Sequence, residues 1–103
     1  MNEPLRLGIA GLGTVGGGLL HLIEVHGKRL AESVGRDLQV TAVAARDRSK
    51  SRGVDLSRFK WFDDAAKMAA DPSVDVFVEL IGGDEGIAKR SIEIALAAKK
   101  HVV

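Results

Sequence analysis

The sequence predicts an α/β protein with a doubly wound, mainly parallel sheet that carries helices on both faces. Three observations support this fold class. Short apolar runs of the kind found in buried strands alternate with longer stretches of helical periodicity. A glycine-rich turn joins the first strand to the first helix. The segment between the first two strands is long enough for the crossover helix that parallel strands require.

The first strand, residues 5–10, is an apolar run interrupted by Arg6. The turn that follows has the pattern G-x-G-x-x-G and consists of Gly11, Leu12, Gly13, Thr14, Val15 and Gly16. In this pattern the first glycine permits a sharp turn, the second lets a pyrophosphate approach the backbone, and the third lets the helix pack closely. Unpaired N–H groups at the start of the helix then face the phosphates. The motif favours a dinucleotide site on a Rossmann-type fold; a glycine-rich turn without a ligand is the alternative.

The composition is that of an ordinary globular domain. The 103 residues, 46% hydrophobic and 28% charged, suffice for one domain with a modest core. The formal net charge of +1 gives no argument for nucleic acid or a membrane surface as partner. Cysteine is absent, which excludes disulfides and thiolate metal sites, and the histidines lack the spacing of a metal-ligand set. With neither a membrane-length apolar run nor a signal-peptide pattern, a cytoplasmic protein is expected.

The first helix is predicted over Thr14–Val34, because apolar residues recur there at helical steps. We expect Gly27 to break or kink this helix and Gly35 to cap its C-terminus. His21 and His26 are expected on its surface. The apolar stripe expected to face the sheet consists of Val15, Leu19, Leu22, Ile23, Leu30 and Val34.

The polar segment after the second strand bears on the choice of cofactor. In dinucleotide-binding folds, an acidic residue at this point accepts from the 2′-hydroxyl of NAD, whereas an arginine accommodates the 2′-phosphate of NADP. Arg46 comes first here, with Arg48, Ser49 and Lys50 close behind, and this combination favours NADP. Asp47 would serve NAD if the strand ended one residue later. A solvated basic loop is the third possibility.

Four further strands are predicted, at residues 38–45, 59–62, 74–81 and 101–103. Asp63 or Asp64 is expected to cap a short helix that ends before Pro72. Trp61 is expected in the core rather than against a cofactor. The last helix starts near Asp84. Its packing face consists of Ile87, Ser91, Ile94, Ala95 and Ala98, and its C-terminus is suited to Lys99 and Lys100.

Glu79 lies inside the strand at residues 74–81. Burying a carboxylate is costly unless it is hydrogen-bonded, so we expect Glu79 to bond backbone groups; a catalytic acid is the alternative. Gly82 and Gly83 then open a turn at the carboxyl end of the strand. Open α/β sheets bind their ligands at that end.

Two blocks together, GLGTVGGGLL and VELIGG, resemble the N-terminal coenzyme-binding domain of homoserine dehydrogenase. The similarity runs through residues 8–20, 40–50, 75–83 and 95–103. Many other Rossmann dehydrogenases share the first glycines but not both blocks. The resemblance implies a parent enzyme that reduces aspartate 4-semialdehyde to homoserine with NAD(P)H, on the route to threonine, methionine and isoleucine.

The resemblance also implies which residues hold the cofactor. Leu12, Gly13, Thr14 and Val15 would line the pyrophosphate and nicotinamide side, Arg46 and Lys50 the 2′-phosphate, and Ile81, Gly82 and Gly83 the ribose and nicotinamide. In the family, a T-A-N-K segment with a proton-transfer lysine follows the strand that matches residues 101–103. We therefore interpret residues 1–103 as an incomplete dinucleotide-binding domain of a homo-oligomeric enzyme, without catalytic residues and inactive alone.

Two alternatives remain open from the sequence. The chain would be the coenzyme domain of another two-domain Rossmann reductase, acting on a different semialdehyde or on dihydrodipicolinate. Otherwise it would be a complete, non-catalytic module that senses NAD(P)H, since no catalytic constellation is recognisable in it.

Overall fold

The computed structural model describes residues 3–45, 56–81 and 85–103. In these ranges the elements are β1 (Leu5–Ala10), α1 (Thr14–Val34), β2 (Leu38–Ala44), β3 (Lys60–Phe62), α2 (Ala65–Ala70), β4 (Val76–Glu79), α3 (Glu85–Ala97) and β5 (His101–Val102). The five strands form one parallel sheet in the order β3-β2-β1-β4-β5. Strands β2 and β3 lie on one side of β1, and β4 and β5 lie on the other side, as in a doubly wound sheet. The predicted Rossmann-type α/β fold is confirmed.

The two faces of the sheet are covered by different helices. Leu20 of α1 packs in one hydrophobic cluster with Val76 and Val78 of β4. Phe77, which points to the other face, packs in a second cluster with Met68 of α2 and with α3. The alternation along β4 therefore divides the core into an α1 side and an α2–α3 side. No helix in the described ranges is both long and apolar enough to cross a membrane.

Helix α1 is continuous, so the predicted break at Gly27 is wrong. A glycine inside a helix costs only about 1 kcal/mol relative to alanine, and the packing of α1 on the sheet outweighs this cost. The predicted end of the helix is confirmed. Gly35 has a left-handed φ of 84°, and its N–H donates to the Ala31 carbonyl at 2.8 Å.

The predicted apolar stripe of α1 is partly wrong. Leu22 and Val34 are 45% and 56% exposed, whereas Leu20, which lies outside the predicted stripe, is 1% exposed. Leu20 and Leu22 are two positions apart, which corresponds to about 200° around the helix axis, so their side chains point to nearly opposite sides of α1. The line that faces the sheet runs through Gly16 and Leu20, since Gly16 is the residue that permits close contact. His21 and His26 are exposed, as predicted.

Several strands are shorter than the sequence predicts. Strand β4 spans Val76–Glu79, whereas the prediction covered residues 74–81. At its start, the N–H of Val74 donates to the Asp71 carbonyl in a turn, so it is not available to the sheet. Val74 is nevertheless buried in the core. The apolar run at residues 74–81 therefore predicts the burial of Val74 correctly but overestimates the length of the strand.

The short helix α2 settles which aspartate is the cap. Asp64 Oδ1 accepts from the Ala66 N–H at 2.9 Å, as an N-cap does. Asp63 Oδ1 instead accepts from Trp61 Nε1 at 2.7 Å. Trp61 itself is half-buried and packs against the α1-side cluster, in agreement with a packing role.

Helix α3 packs through Ser91 and Ala95, both fully buried as predicted. Ile87 is 40% exposed, and Ala98 is exposed beyond the end of the helix, so the predicted face is too long at both ends. The helix is terminated by Lys99, a non-glycine residue with a left-handed φ of 63°. Its N–H donates to the Leu96 carbonyl at 3.0 Å, which closes the last turn.

Ionic hydrogen bonds tie the elements together at the amino end of the sheet. Arg6 donates through Nε and Nη2 to Asp75, at 3.0 and 2.9 Å, which joins β1 to the start of β4. Lys60 Nζ donates to Asp71 at 2.8 Å and the Ser73 N–H donates to the same carboxylate, also at 2.8 Å. Hydrogen bonds from Lys60 and then Ser73 lower the pKa of Asp71 to about 2. The bond from Arg6 likewise lowers the pKa of Asp75.

We predict that Asp71 contributes to acid sensitivity. Because its folded pKa of about 2 lies below the ordinary 3.8, its stabilisation is complete above about pH 5. That stabilisation is lost as pH falls towards 2, since the unfolded state then binds the proton first. Asp71→Asn should therefore flatten the fall in melting temperature between pH 5 and pH 2, measured by circular dichroism. Glu93→Asn on the exposed face of α3 is the control, and an unchanged slope in Asp71→Asn would contradict the prediction.

We also predict that Lys99→Gly stabilises the fold by up to about 1 kcal/mol. Glycine removes the left-handed penalty of about 1–2 kcal/mol, and only part of the gain is offset by its greater entropy in the unfolded chain. The control, Lys89→Gly, places the same change on the exposed side inside α3, where it should destabilise by about 1 kcal/mol. Urea denaturation measures both variants. Destabilisation of similar size in the two would refute a special role for the helix end.

Candidate functional site

The turn after β1 is pressed against the end of β4. Gly11 has a left-handed φ of 96°, and its N–H donates to the Ala44 carbonyl at 2.8 Å. A Cβ atom on Gly11 would lie 2.6 Å from the Leu80 oxygen and 2.8 Å from the Ile81 nitrogen. Both the dihedral angle and the contact require glycine here, as the motif predicts.

Gly16 lets the start of α1 pack directly against the backbone of the glycine-rich turn that follows β1. A Cβ atom on Gly16 would be 1.8 Å from the Gly11 oxygen, a distance that no side chain can occupy. Gly16 is buried, and the nearest side-chain atom to this position belongs to Ile9 of β1, 3.9 Å away. The third glycine of the motif therefore serves close packing of the helix, as predicted.

Gly13 differs from these two because it faces open space. It is exposed, and apart from its chain neighbours no atom of the described residues lies within 4 Å of the position that its Cβ would occupy. Gly13 is the N-cap of α1 with extended backbone angles, and no side chain caps the helix. The first turn of α1 also contains no acidic residue. Within the described ranges, no side chain thus caps the positive end of the helix, an arrangement suited to an anion such as a phosphate.

The other predicted site residues divide into four groups. Leu12 is buried on the α1 side of the core, so only its backbone can face a ligand. Ile81 is half-buried beside the glycine turn. Thr14 and Val15 lie in the first turn of α1, and the structure describes their backbone. Arg46, Lys50, Gly82 and Gly83 lie outside the described residues.

Two residues at the end of β4 contribute to this site although the sequence analysis did not place them there. The Leu80 N–H donates to the Ala10 carbonyl at 2.8 Å, and the Leu80 carbonyl lies against Gly11. Glu79 Oε1 accepts from the Ile81 N–H at 2.6 Å, which confirms the expected bond to backbone. The relevant signal was the strand order, because the first and fourth strands of this fold are neighbours.

The described residues also form a groove of about 700 Å³ away from this turn. It lies between α1 and the first residues of β2, Leu38 to Val40, with Phe59 at one side. These β2 residues pair with Leu5 to Leu7, at the amino end of the parallel sheet. The groove is therefore at the opposite end from the glycine turn. Across the described ranges, no group of three or more residues is arranged to hold a metal ion.

Sequence comparisons connect the chain with one family. The family model "Homoserine dehydrogenase, NAD binding domain" matches residues 11–103. The chain is 39% identical to the homoserine dehydrogenase of Bacillus subtilis over 101 residues, which cover 98% of the chain and 23% of that protein. It is 37% identical to the homoserine dehydrogenase of Pseudomonas aeruginosa, with the same coverage, 98% and 23%.

Solved structures give the same result. The chain superposes on homoserine dehydrogenase from S. aureus with a TM-score of 0.84 and 31% identity, covering 99% of the chain and 26% of that structure. For homoserine dehydrogenase from Thiobacillus denitrificans the TM-score is 0.84 and the identity 33%, covering 97% of the chain and 23% of that structure. The chain thus spans about a quarter of the length of these relatives.

The geometry predicts a sharp contrast between two adjacent glycines. Gly16→Ala should destabilise the fold by about 3 kcal/mol or more, because the added methyl group meets a backbone carbonyl. Gly17→Ala is the matched control, since the nearest atom to its Cβ would be the Leu12 oxygen at 4.0 Å. This variant should gain up to about 1 kcal/mol from helix propensity. Urea denaturation measures the stability of both variants. Similar stabilities would contradict the prediction, because they would show that the glycine turn can shift to accommodate a methyl group at Gly16.

Proposed function

Because the chain belongs to the family of homoserine dehydrogenase NAD-binding domains, we propose that it is the cofactor-binding part of such an enzyme. The reaction of the whole protein is then the NAD(P)H-dependent interconversion of aspartate 4-semialdehyde and homoserine. The chain spans about a quarter of its relatives. In our proposal the substrate-binding, catalytic and subunit-contact residues of a homo-oligomer belong to the remaining length, and residues 1–103 alone bind cofactor without turning over.

The observation that carries this proposal is the open N-cap at Gly13. In the part of the chain that the structure describes, no side chain caps the adjoining N–H groups of α1, and nothing beyond the chain neighbours of Gly13 lies within 4 Å of its Cβ position. We propose that the pyrophosphate binds there, against the backbone of Leu12, Gly13, Thr14 and Val15. Gly11 and Gly16 shape the turn without contributing side chains.

The end of β4 supplies the second part of the proposed site. Ile81, together with Gly82 and Gly83, would lie beside the ribose and nicotinamide, since ligands of open α/β sheets bind at the carboxyl ends of the strands. When bound, the nicotinamide supplies hydride transfer. The residues of this chain bind and orient the dinucleotide, and we assign none of them a catalytic role.

We further propose that NADP is preferred to NAD. Arg46 and Lys50 follow the second strand and would pair with the 2′-phosphate. Asp47 supports the competing assignment, in which a carboxylate accepts from the 2′-hydroxyl of NAD. Separate calorimetric titrations with NADP+ and NAD+ at low salt distinguish the two. Tighter binding of NAD+ would show that Asp47, and not Arg46 with Lys50, determines the cofactor preference. A folded chain that binds neither cofactor would refute the dinucleotide proposal.

Gly13→Ala tests the pyrophosphate site itself. We expect dinucleotide affinity to fall at least tenfold, because the methyl group would fill the space that the phosphates need. The stability should change by less than about 1 kcal/mol, since among the described residues only the chain neighbours of Gly13 lie within 4 Å of the new atom. Gly18→Ala is the control, because its Cβ position is equally open. That variant should keep full affinity. Unchanged binding by Gly13→Ala would contradict the proposal.

Arg46→Ala tests the cofactor preference. We expect NADP+ binding to weaken by roughly ten- to a hundredfold, which corresponds to a charge-assisted contact of about 1.5–3 kcal/mol. NAD+ binding should hardly change, because NAD lacks the 2′-phosphate. Asp47→Asn is the companion variant and should leave NADP+ binding intact. If Arg46→Ala weakened both cofactors equally, Arg46 would not be reading the 2′-phosphate.

A further inference from the structure

Glu79 stands at the end of β4, paired in register with Ala10 at the end of β1. Its side chain turns forward along its own backbone, so that Oε1 accepts from the Ile81 N–H at 2.6 Å. The preceding N–H, that of Leu80, donates to the Ala10 carbonyl at 2.8 Å. The Leu80 N–H is thus bonded to the backbone of β1, whereas the next N–H, that of Ile81, is bonded to the Glu79 carboxylate.

The peptide group held in this way is the wall of the glycine turn. The atoms nearest to the Cβ position of Gly11 are the Leu80 oxygen at 2.6 Å, the Leu80 carbonyl carbon at 2.7 Å and the Ile81 nitrogen at 2.8 Å. These three atoms belong to one peptide group, and its N–H is the donor to Glu79. The carboxylate therefore fixes the orientation of the group against which Gly11 is packed.

The same peptide group is coupled to the open cap of α1. Gly11 contacts it on one side and carries, on the other, the carbonyl oxygen over which Gly16 is packed. Rotation of the Leu80–Ile81 peptide would move Gly11, and with it the start of α1 at Gly13. Such a rotation becomes easier when the N–H loses its acceptor, because a half-buried N–H costs free energy unless it is bonded.

We propose that Glu79 is a positioning residue for the dinucleotide: by accepting the Ile81 N–H, it holds the wall of the glycine turn and so sets where the first turn of α1 presents its N–H groups. This inference rests on the proposed function. The role needs an acceptor of the right length and does not need a negative charge, which separates it from a catalytic acid.

The test compares Glu79→Gln with Glu79→Met in the 103-residue chain. Both side chains match glutamate in length, but only glutamine keeps an oxygen acceptor. We expect Glu79→Met to bind NADP+ about tenfold more weakly by calorimetry and Glu79→Gln to stay within about threefold of the unmodified chain. In nitrogen–proton NMR spectra, the amide signals of Ile81 and Gly11 should move in Glu79→Met and largely recover in Glu79→Gln. Glu93→Met on exposed α3 is the control for the substitution itself and should change neither.

The outcomes separate the two proposals. If the unmodified chain binds neither NADP+ nor NAD+, the proposed function fails, and this inference fails with it. If the unmodified chain binds and Glu79→Met binds equally well, only the positioning role is overturned. Equal losses in both variants would also overturn it, since the charge and not the acceptor would then be what matters. Should Glu79→Met fail to fold, a tenfold loss in Glu79→Gln suffices to refute the proposal.

Discussion

The structure depends on one contact in which three backbone segments meet without side chains between them. The carbonyl oxygen of Gly11 lies 1.8 Å from the position that a Cβ of Gly16 would take, and the Leu80–Ile81 peptide lies 2.6 to 2.8 Å from the position of a Cβ on Gly11. This contact sets the direction of α1 as it leaves the sheet and holds the end of β4 beside the turn. It leaves the next glycine, Gly13, at the exposed cap of the helix. Gly11 and Gly16 therefore serve close packing, whereas Gly13 between them remains exposed.

Among the described residues, the ion pairs that join the strand segments lie at the amino end of the sheet. At the amino end, Arg6 binds Asp75 and Lys60 binds Asp71, which ties β1, β3 and the segment before β4 together. At the carboxyl end, the first turn of α1 has neither a capping side chain nor an acidic residue. The ionic contacts thus hold the strands in register from the end where no phosphate is expected.

Much of the fold could be predicted because its signals are local. The turn from Gly11 to Gly16 and the cap at Gly35 follow from backbone rules that act over a few residues. The predictions were wrong where tertiary packing determines which residues are buried. The sequence shows Leu22 and Leu20 as equally apolar, and only the contact at Gly16 determines that Leu20 faces the sheet. The role of the Leu80 carbonyl could not be read from a motif, because it depends on which strand is the neighbour of β1.

The pairing of β1 with β4 has a consequence for the order of events during protein synthesis. Arg6 and Asp75 are 69 positions apart, and the wall of the glycine turn is complete only when residue 81 has been added. The β1–α1–β2 unit can therefore emerge from the ribosome long before its turn has anything to pack against. Since the entropy of closing this loop must be met before the contact forms, docking of β4 is expected to be a late step of folding. Until that step the glycine-rich segment remains exposed to chaperones and proteases.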